Sequence, residues 1–566
     1  MAKKKKPTAP VPAWFKHTWW LIPLIALLIY IPSFNADYTL DDVLIVEDNS
    51  FVKSPDQIPA IWTSHYWAGK VDATDTGLYR PLTLTTYNIQ YALTGETPAP
   101  FHIVNILLHA LVCLMLMKMA SLLFVDFRLV IISGLLFAIH PIHTEAVAGI
   151  VGRAEILAAL FILTSMICYH HWRLKGKIKW LVLLLVSSFA AMTSKEHGFL
   201  MIAILALQET YYFFTTKKLP WNERKNWIAF GSVAILSLGL WMVRSTITGP
   251  TASHELWANV GSTERMATSL RTSAEYIGLH LWPSPLSADY WSDEVPIVGF
   301  GNIKVVIASL IILGILSLAY YLRRKIPVAS WGILFFFLML LPVSNFVFPA
   351  GFLKAERILY IPSIGLILLM SVMLTKVIDF RTNRIPGFIL LGLFILLFSW
   401  RTWTRSADWE NNYTLAIATL QTSPNSPRFN NMMGLELRAQ NKNNEALVYF
   451  EKAVKANPNH VPALVNLGME YSHFGRHQEA GALLEKALAL EPGTLATYAN
   501  LMSVYRSTGA HEKNIAIAEK AMHRFPQSAA IMWNAANAYH LAGNMARANE
   551  LRAIALSIDP NIGGGK

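Results

Sequence analysis

Eleven apolar segments fill residues 18–402, at about 18–34, 101–124, 129–147, 153–173, 179–195, 197–214, 227–245, 303–322, 329–348, 357–377 and 387–402. A helix needs roughly 20 mostly apolar residues to cross the hydrocarbon core of a bilayer. In lipid every backbone N–H and C=O must find its partner inside the protein. The pattern therefore restricts this part of the chain to an all-α bundle of about 11 membrane-spanning helices. Composition agrees: 15% of residues are charged, 54% are hydrophobic and the mean hydropathy is +0.37. Soluble domains carry about 25% charged residues.

The net charge is +12. From Asp408 onward there are 14 Lys and Arg against 13 Asp and Glu, so nearly all of the excess lies among the apolar segments. Positive charge held in short loops sets topology, and it gives no reason to invoke nucleic acid. With the N-terminus in the cytoplasm, the cytoplasmic side receives Lys3–Lys6, Arg128, Arg173, Lys175, Lys177, Lys179, Lys217, Lys218, Arg224, Lys225, Arg323, Arg324, Lys325, Lys376, Arg381 and Arg384. The short loops of the other side hold Arg153, Lys195, Lys354 and Arg357. The expectation is a multi-pass protein of the inner (cytoplasmic) membrane with its C-terminus in the periplasm, or of the ER membrane with its C-terminus in the lumen. Residues 1–17 then form a cytoplasmic basic tail, followed by a retained first span rather than a cleaved signal peptide. Two long outer loops follow, 35–100 and 246–302. Within the second, 263–281 reads as an amphipathic helix lying on the membrane, anchored by Trp282 and Trp291. Cys113 and Cys168 both fall inside apolar segments, where they read as packing residues.

Beyond the apolar segments, Pro458, Pro492, Pro526 and Pro560 recur every 34 residues. That is the tetratricopeptide period. It divides the chain into four repeats, 427–460, 461–494, 495–528 and 529–562, after a connector and half-repeat at 404–426. Gly434, Gly468 and Ala536 share one register position, with Met502 the exception. Ala453, Ala487, Ala521 and Ala555 share another, and Tyr471, Tyr505 and Tyr539 a third. Such repeats are helix pairs that bury their apolar faces by stacking into a solenoid, and their groove suits an extended peptide.

Polar residues at the outer ends of the spans are functional candidates. Tyr38 to Asp42 ends in two adjacent carboxylates, whose pKa values can separate and leave one as a base. Tyr79-Arg80-Pro81 supplies a fixed cation. His140-Pro141-Ile142-His143-Thr144-Glu145 runs on to Gly152-Arg153-Ala154-Glu155. Lys195-Glu196-His197-Gly198 and Glu356-Arg357 complete the set. His140, His143 and Glu145 are weak candidates for a divalent metal, because their spacing differs from that of zinc motifs. No nucleophile elbow, Walker loop or dinucleotide fingerprint occurs. A carboxylate base beside several cations suits deprotonation of a hydroxyl coupled to departure of a phosphate.

Taken in order, these groups resemble the TMTC family, the transmembrane and tetratricopeptide repeat O-mannosyltransferases. The match runs through Asp41-Asp42, Tyr79-Arg80-Pro81-Leu82-Thr83, Phe101-His102-Ile103-Val104-Asn105, His140-Pro141 to Glu155, Lys195-Glu196, and Ala355-Glu356-Arg357 with Tyr360-Ile361-Pro362-Ser363. The chain departs from the family in having four repeats and in carrying His197 after Glu196. The resemblance implies a GT-C glycosyltransferase domain at 18–403. It implies a polyprenyl-phosphate sugar (mannose or another hexose) as donor, and Ser/Thr hydroxyls of a protein bound by the repeats as acceptor. By that carry-over Asp41 or Asp42 is the catalytic base, with Asp42 the first choice. Arg80, Arg153, Lys195 and Arg357 bind the donor phosphate. Tyr79, His140, His143, Glu145, Glu155, Glu196 and Glu356 orient the cations or the sugar. The short array points to a bacterial member. The competing reading is a membrane-anchored scaffold for envelope assembly, which leaves the acidic and basic groups without a role. A transporter would instead place charges near mid-bilayer within related halves.

Overall fold

A computed structural model describes residues 15–70, 77–124, 126–217, 223–249, 255–257, 260–291, 293–379 and 384–563. Lys3–Lys6, Lys218, Arg381 and most of the expected tail lie outside them. The described residues contain helices and no strands. They divide into two compact units, 1–415 and 416–566.

In the first unit each of the eleven expected spans is helical, with principal helices Phe15–Ile29, Pro98–Leu123, Phe127–Ile139, Arg153–Lys175, Ile178–Ser194, Met201–Thr216, Arg224–Ile247, Ile303–Leu322, Pro327–Leu340, Ser363–Asp379 and Ile385–Asp408. By length and composition six helices of the described residues can cross a membrane, or seven if the bent pair Phe127–Ile139 and Pro141–Ala148 is one span. Several of the others are shorter than the sequence suggests, for a local reason. Pro141 has no N–H to continue a helix and pushes His140 into an extended conformation (φ −73°, ψ 123°), so the span bends by 51° there. Ser194 ends a helix, Lys195 is fully extended, and a 3-10 turn Glu196–Leu200 starts the next. A 3-10 turn Arg357–Leu359 precedes Ser363. Every one of these breaks falls at the end assigned to the outer side by charge. The irregular backbone is tolerated because it packs against protein rather than lipid.

The loop 35–100 is folded. A π-turn Val43–Glu47, short helices Ser50–Lys53 and Ile58–Trp62, and the helix Pro81–Thr94 enclose their own core of Tyr38, Ile45, Val46, Val52, Ile61, Tyr66, Leu84 and Tyr87. That core continues onto Phe101 and Ile150, so the lobe is welded to the bundle. In the second loop the amphipathic helix runs Ser262–Leu281, one residue earlier than expected. Its Tyr276 and Leu279 pack on Phe336, Ile358 and Leu359, so part of its apolar face is covered by protein. Trp282 stands 68% exposed at its end, and Trp291 is half-buried.

In the second unit the helices pair as Pro427–Ala439 with Asn443–Ala456, Val461–His473 with His477–Leu490, Leu495–Ser507 with His511–Arg524, and Ala529–Leu541 with Met545–Ile558. Each proline of the 34-residue register sits in the turn after a pair. Ala453, Ala487, Ala521 and Ala555 are fully buried. The tyrosine register staples one pair to the next: Tyr471 donates to Glu451 at 3.0 Å, Tyr539 to Glu519 at 2.8 Å, and Tyr505 to Glu485.

Candidate functional site

The acidic turn is held in an unusual backbone. Leu40 takes the left-handed conformation (φ 53°), which costs a residue with a branched side chain on the order of 1–3 kcal/mol. Its N–H donates to Asn412 Oδ1 at 3.0 Å, and Asp37 N–H donates to Glu410 C=O at 2.8 Å. The segment after the last span therefore clamps the turn that carries the carboxylates.

The two carboxylates that follow have different surroundings. Asp42 is fully buried. Its Oδ1 accepts the Val151 N–H at 2.8 Å, and its Oδ2 accepts the Ile150 N–H at 3.1 Å. Thr39 adds its N–H and hydroxyl, both at 3.3 Å. Burial pushes the Asp42 carboxyl up to about 7, against the pull of these backbone N–H groups. Asp42 thus ties the outer lobe to the entry of the helix Arg153–Lys175. Asp41 is half-buried, and its charge reaches the Arg357 guanidinium and the Tyr66 ring.

Three of the four expected cations form matching pairs, each with a glutamate from another element. Arg80 forks onto Glu196, Nε to Oε1 at 3.0 Å and Nη2 to Oε2 at 2.7 Å. It also lies over the Tyr66 ring at 5.1 Å. Lys195 pairs with Glu155, both buried. Arg357 Nη1 meets Glu145 Oε1 at 2.5 Å, while Glu145 Oε2 accepts the backbone N–H of Glu356 at 2.9 Å and of Arg357 at 2.8 Å. A guanidinium has five N–H donors and an ammonium three, so each cation retains donors beyond its carboxylate. Lys195, Arg80 and Arg357 feel one another's charge, and Arg357 also feels that of Asp41.

Arg153 differs from its expected role beside those cations. It is fully buried in the wall, with Nε on Asn105 Oδ1 at 2.8 Å, Nη2 on Phe101 C=O at 3.1 Å, and its plane 4.5 Å from the Tyr87 ring centre. The other expected residues also serve architecture. Tyr79 donates to Trp62 C=O at 2.8 Å. His140 bonds His280 C=O at 3.1 Å and accepts the Ile142 N–H. His143 bonds Phe137 C=O at 2.9 Å and the Ser363 hydroxyl at 2.8 Å. Those nitrogens are spent on protein, and no group of three or more His, Cys, Asp or Glu placed to hold a metal occurs among the described residues. Glu356 turns away from Arg357, and its Oε1 accepts the Ser287 N–H at 2.5 Å and the Tyr290 hydroxyl at 2.6 Å.

Two glycines make the close approaches possible. A Cβ on Gly152 would strike the Ala146 carbonyl, and one on Gly198 would strike the backbone of Ala191 and Met192. Sequence reasoning missed Tyr66, Ser287, Tyr290 and Asn412. None lies in an apolar segment, so none stood out from its neighbours. Asn105 was visible as an amide inside an apolar run, and the structure gives it the task of holding Arg153.

Fold and site together define a polytopic membrane protein with a buried, ion-paired polar cluster at its helix ends and a tetratricopeptide solenoid. The tetratricopeptide repeat family model matches residues 437–505. The human protein O-mannosyl-transferase TMTC3 is 27% identical over 480 residues, covering 79% of this chain and 52% of its own length. Human TMTC1 is 29% identical, covering 78% and 55%. Mouse TMTC4 is 28% identical, covering 78% and 66%. The chain is thus similar to TMTC proteins over most of its length, and it spans about half the length of the first of these curated relatives. Among solved structures, a MamA protein is 24% identical, covering 26% of this chain and 80% of its own, at TM-score 0.24. YrrB, a tetratricopeptide protein with an unusual peptide-binding site, is 18% identical, covering 33% and 93%, at TM-score 0.25.

Proposed function

We propose that the chain is an integral membrane protein O-glycosyltransferase of GT-C type, using a polyprenyl-phosphate hexose on the periplasmic or lumenal side. One observation carries this reading. Five separate segments bring a half-buried carboxylate and three glutamate-paired cations into a single electrostatic cluster. An anchor for a scaffold has no use for such a cluster, and burying it costs free energy. The TMTC relatives are named protein O-mannosyl-transferases, which supports the reaction class of the proposal.

In this reading Asp41 is the base. Asp42 has both oxygens engaged with backbone N–H groups and no exposed surface. Asp41 takes the proton of an acceptor Ser or Thr hydroxyl. The freed oxygen attacks the anomeric carbon, and the bond from that carbon to the phosphate oxygen breaks. Its electron pair leaves on the phosphate, whose charge Arg80, Lys195 and Arg357 stabilise. A single displacement inverts the anomeric centre. The glutamates hold the cations in place before the donor arrives, so little reorganisation is needed during reaction. The repeats bind the acceptor polypeptide. Asp41→Asn removes the base, so transfer falls by about 10²–10⁴-fold while the protein still inserts and folds. If Asp41→Asn transfers as fast as the parent protein, the base assignment is wrong.

A further inference from the structure

A second polar cluster gathers around Glu356, the chain neighbour of Arg357. Arg405 is 1% exposed, and its Nη1 donates to Asp408 Oδ2 at 3.1 Å. Its Nε and Nη2, which form one edge of the guanidinium, are buried without a hydrogen-bond partner. So is Nε of Arg401, one turn earlier on the same helix. Glu356 is fully buried, and its Oε2 is likewise without a partner, while Oε1 is held by Ser287 and Tyr290. Arg401, Arg405, Asp408, Tyr290 and Glu356 lie within electrostatic reach of one another. A buried polar atom left unpaired costs about 1–3 kcal/mol. Here several of them, donors and an acceptor, come together.

We infer that Arg405, Arg401 and Glu356 form a subsite for the hydroxyl groups of a hexose, an inference that rests on the transferase reading above. The mixed inventory selects the ligand. An anion would satisfy the guanidinium edge and leave the Glu356 oxygen facing like charge. Neighbouring sugar hydroxyls accept from Arg405 and donate to Glu356 Oε2, so both halves are satisfied at once. Position supports the same choice. Glu356 and Arg357 are consecutive, with Cα atoms about 3.8 Å apart. Their side chains enter separate clusters, while Glu145 binds both backbone N–H groups. A sugar beside Glu356 and a phosphate beside Arg357 are thus neighbours on one donor molecule. The cluster sets which hexose is accepted, because a site built to pair hydroxyls rejects a sugar that misplaces one.

The test uses the purified full chain in detergent and saturation-transfer NMR with methyl α-mannoside, methyl α-glucoside and methyl α-galactoside as probes. At least one hexoside shows transfer with the parent protein. Glu356→Gln weakens that signal at least tenfold, and so does Arg405→Lys, which keeps a cation near Asp408 but loses the guanidinium edge. Absence of signal from every hexoside with the parent protein overturns the inference. So does an undiminished signal in both variants. Competition by inorganic phosphate that depends on Arg405 but not on Arg80 overturns it too, because it would mark an anion site. Thermal melts of each variant confirm folding, and the transfer assay with Asp41→Asn judges the transferase reading separately.

Discussion

At the scale of single residues, the most instructive contrast is between two neighbours. Asp41 and Asp42 are indistinguishable in sequence, where Asp42 is the first choice for the base; in the fold Asp42 is fully buried and Asp41 half-buried, which is why the proposed mechanism uses Asp41. What separates them is that Asp42 faces the N–H groups of Ile150 and Val151, more than a hundred positions away. Asp42→Asn therefore destabilises the protein, by about 1–3 kcal/mol. The pH dependence has a definite sign. Folding raises the Asp42 pKa from the ordinary carboxylate range to about 7, so the folded state binds the proton more tightly. The stabilisation is complete below the unfolded value and is lost as pH rises through about 7. Melts of the parent protein should show Tm falling between pH 5 and pH 8 relative to Asp42→Asn. Parallel curves for the two proteins contradict the assignment. Asn412 makes a similar claim on Leu40: Asn412→Ala releases the left-handed turn and lowers kcat while donor KM stays put.

At the scale of elements, the apolar segments made the eleven principal helices of the first unit legible, but not the helices folded within 35–100 or the bend at Pro141 inside the segment read as one span at 129–147. The destinations of the helix ends were harder to read. Arg80 and Arg153 look alike as outer-end cations, yet Arg80 forks onto Glu196 and Arg153 is stacked inside the wall. The difference depends on Tyr87 and Asn105, which come from two other elements. Arg80→Lys keeps the charge and loses the fork, so it raises donor KM by roughly tenfold, measured as initial rates across donor concentration. Arg153→Lys acts instead on stability, with Tm falling while KM is spared. Gly198→Val forces a side chain into the backbone of Ala191 and Met192. It prevents accumulation of folded protein, read by size-exclusion profile.

At the scale of the whole chain, the 34-residue register was visible in four prolines, and the helix pairs fall where that register puts them. The face that could receive a polypeptide was not visible, because asparagines are common in polar helices. Asn466, Asn500 and Asn534 recur on this register at the sixth position of the first helix of their repeats. All three are half-buried, and Asn466 donates to Asn431 at 2.9 Å. Carboxamides at a fixed spacing can pair with peptide groups of an extended chain whatever its side chains. Replacing all three by alanine should reduce acceptor-peptide binding about tenfold while the helical content stays the same by circular dichroism.

The central claim is that Asp41 activates a protein hydroxyl against a polyprenyl-phosphate hexose. It is tested most directly with the purified full chain, a radiolabelled donor of that class and an extract of exported proteins from a strain lacking the chain. The account predicts label on Ser or Thr residues with the parent protein, its loss by at least about a hundredfold with Asp41→Asn, and measurable label with Asp42→Asn in the fraction that folds. Equal labelling by parent and Asp41→Asn proteins, or labelling abolished only by Asp42→Asn, would contradict it.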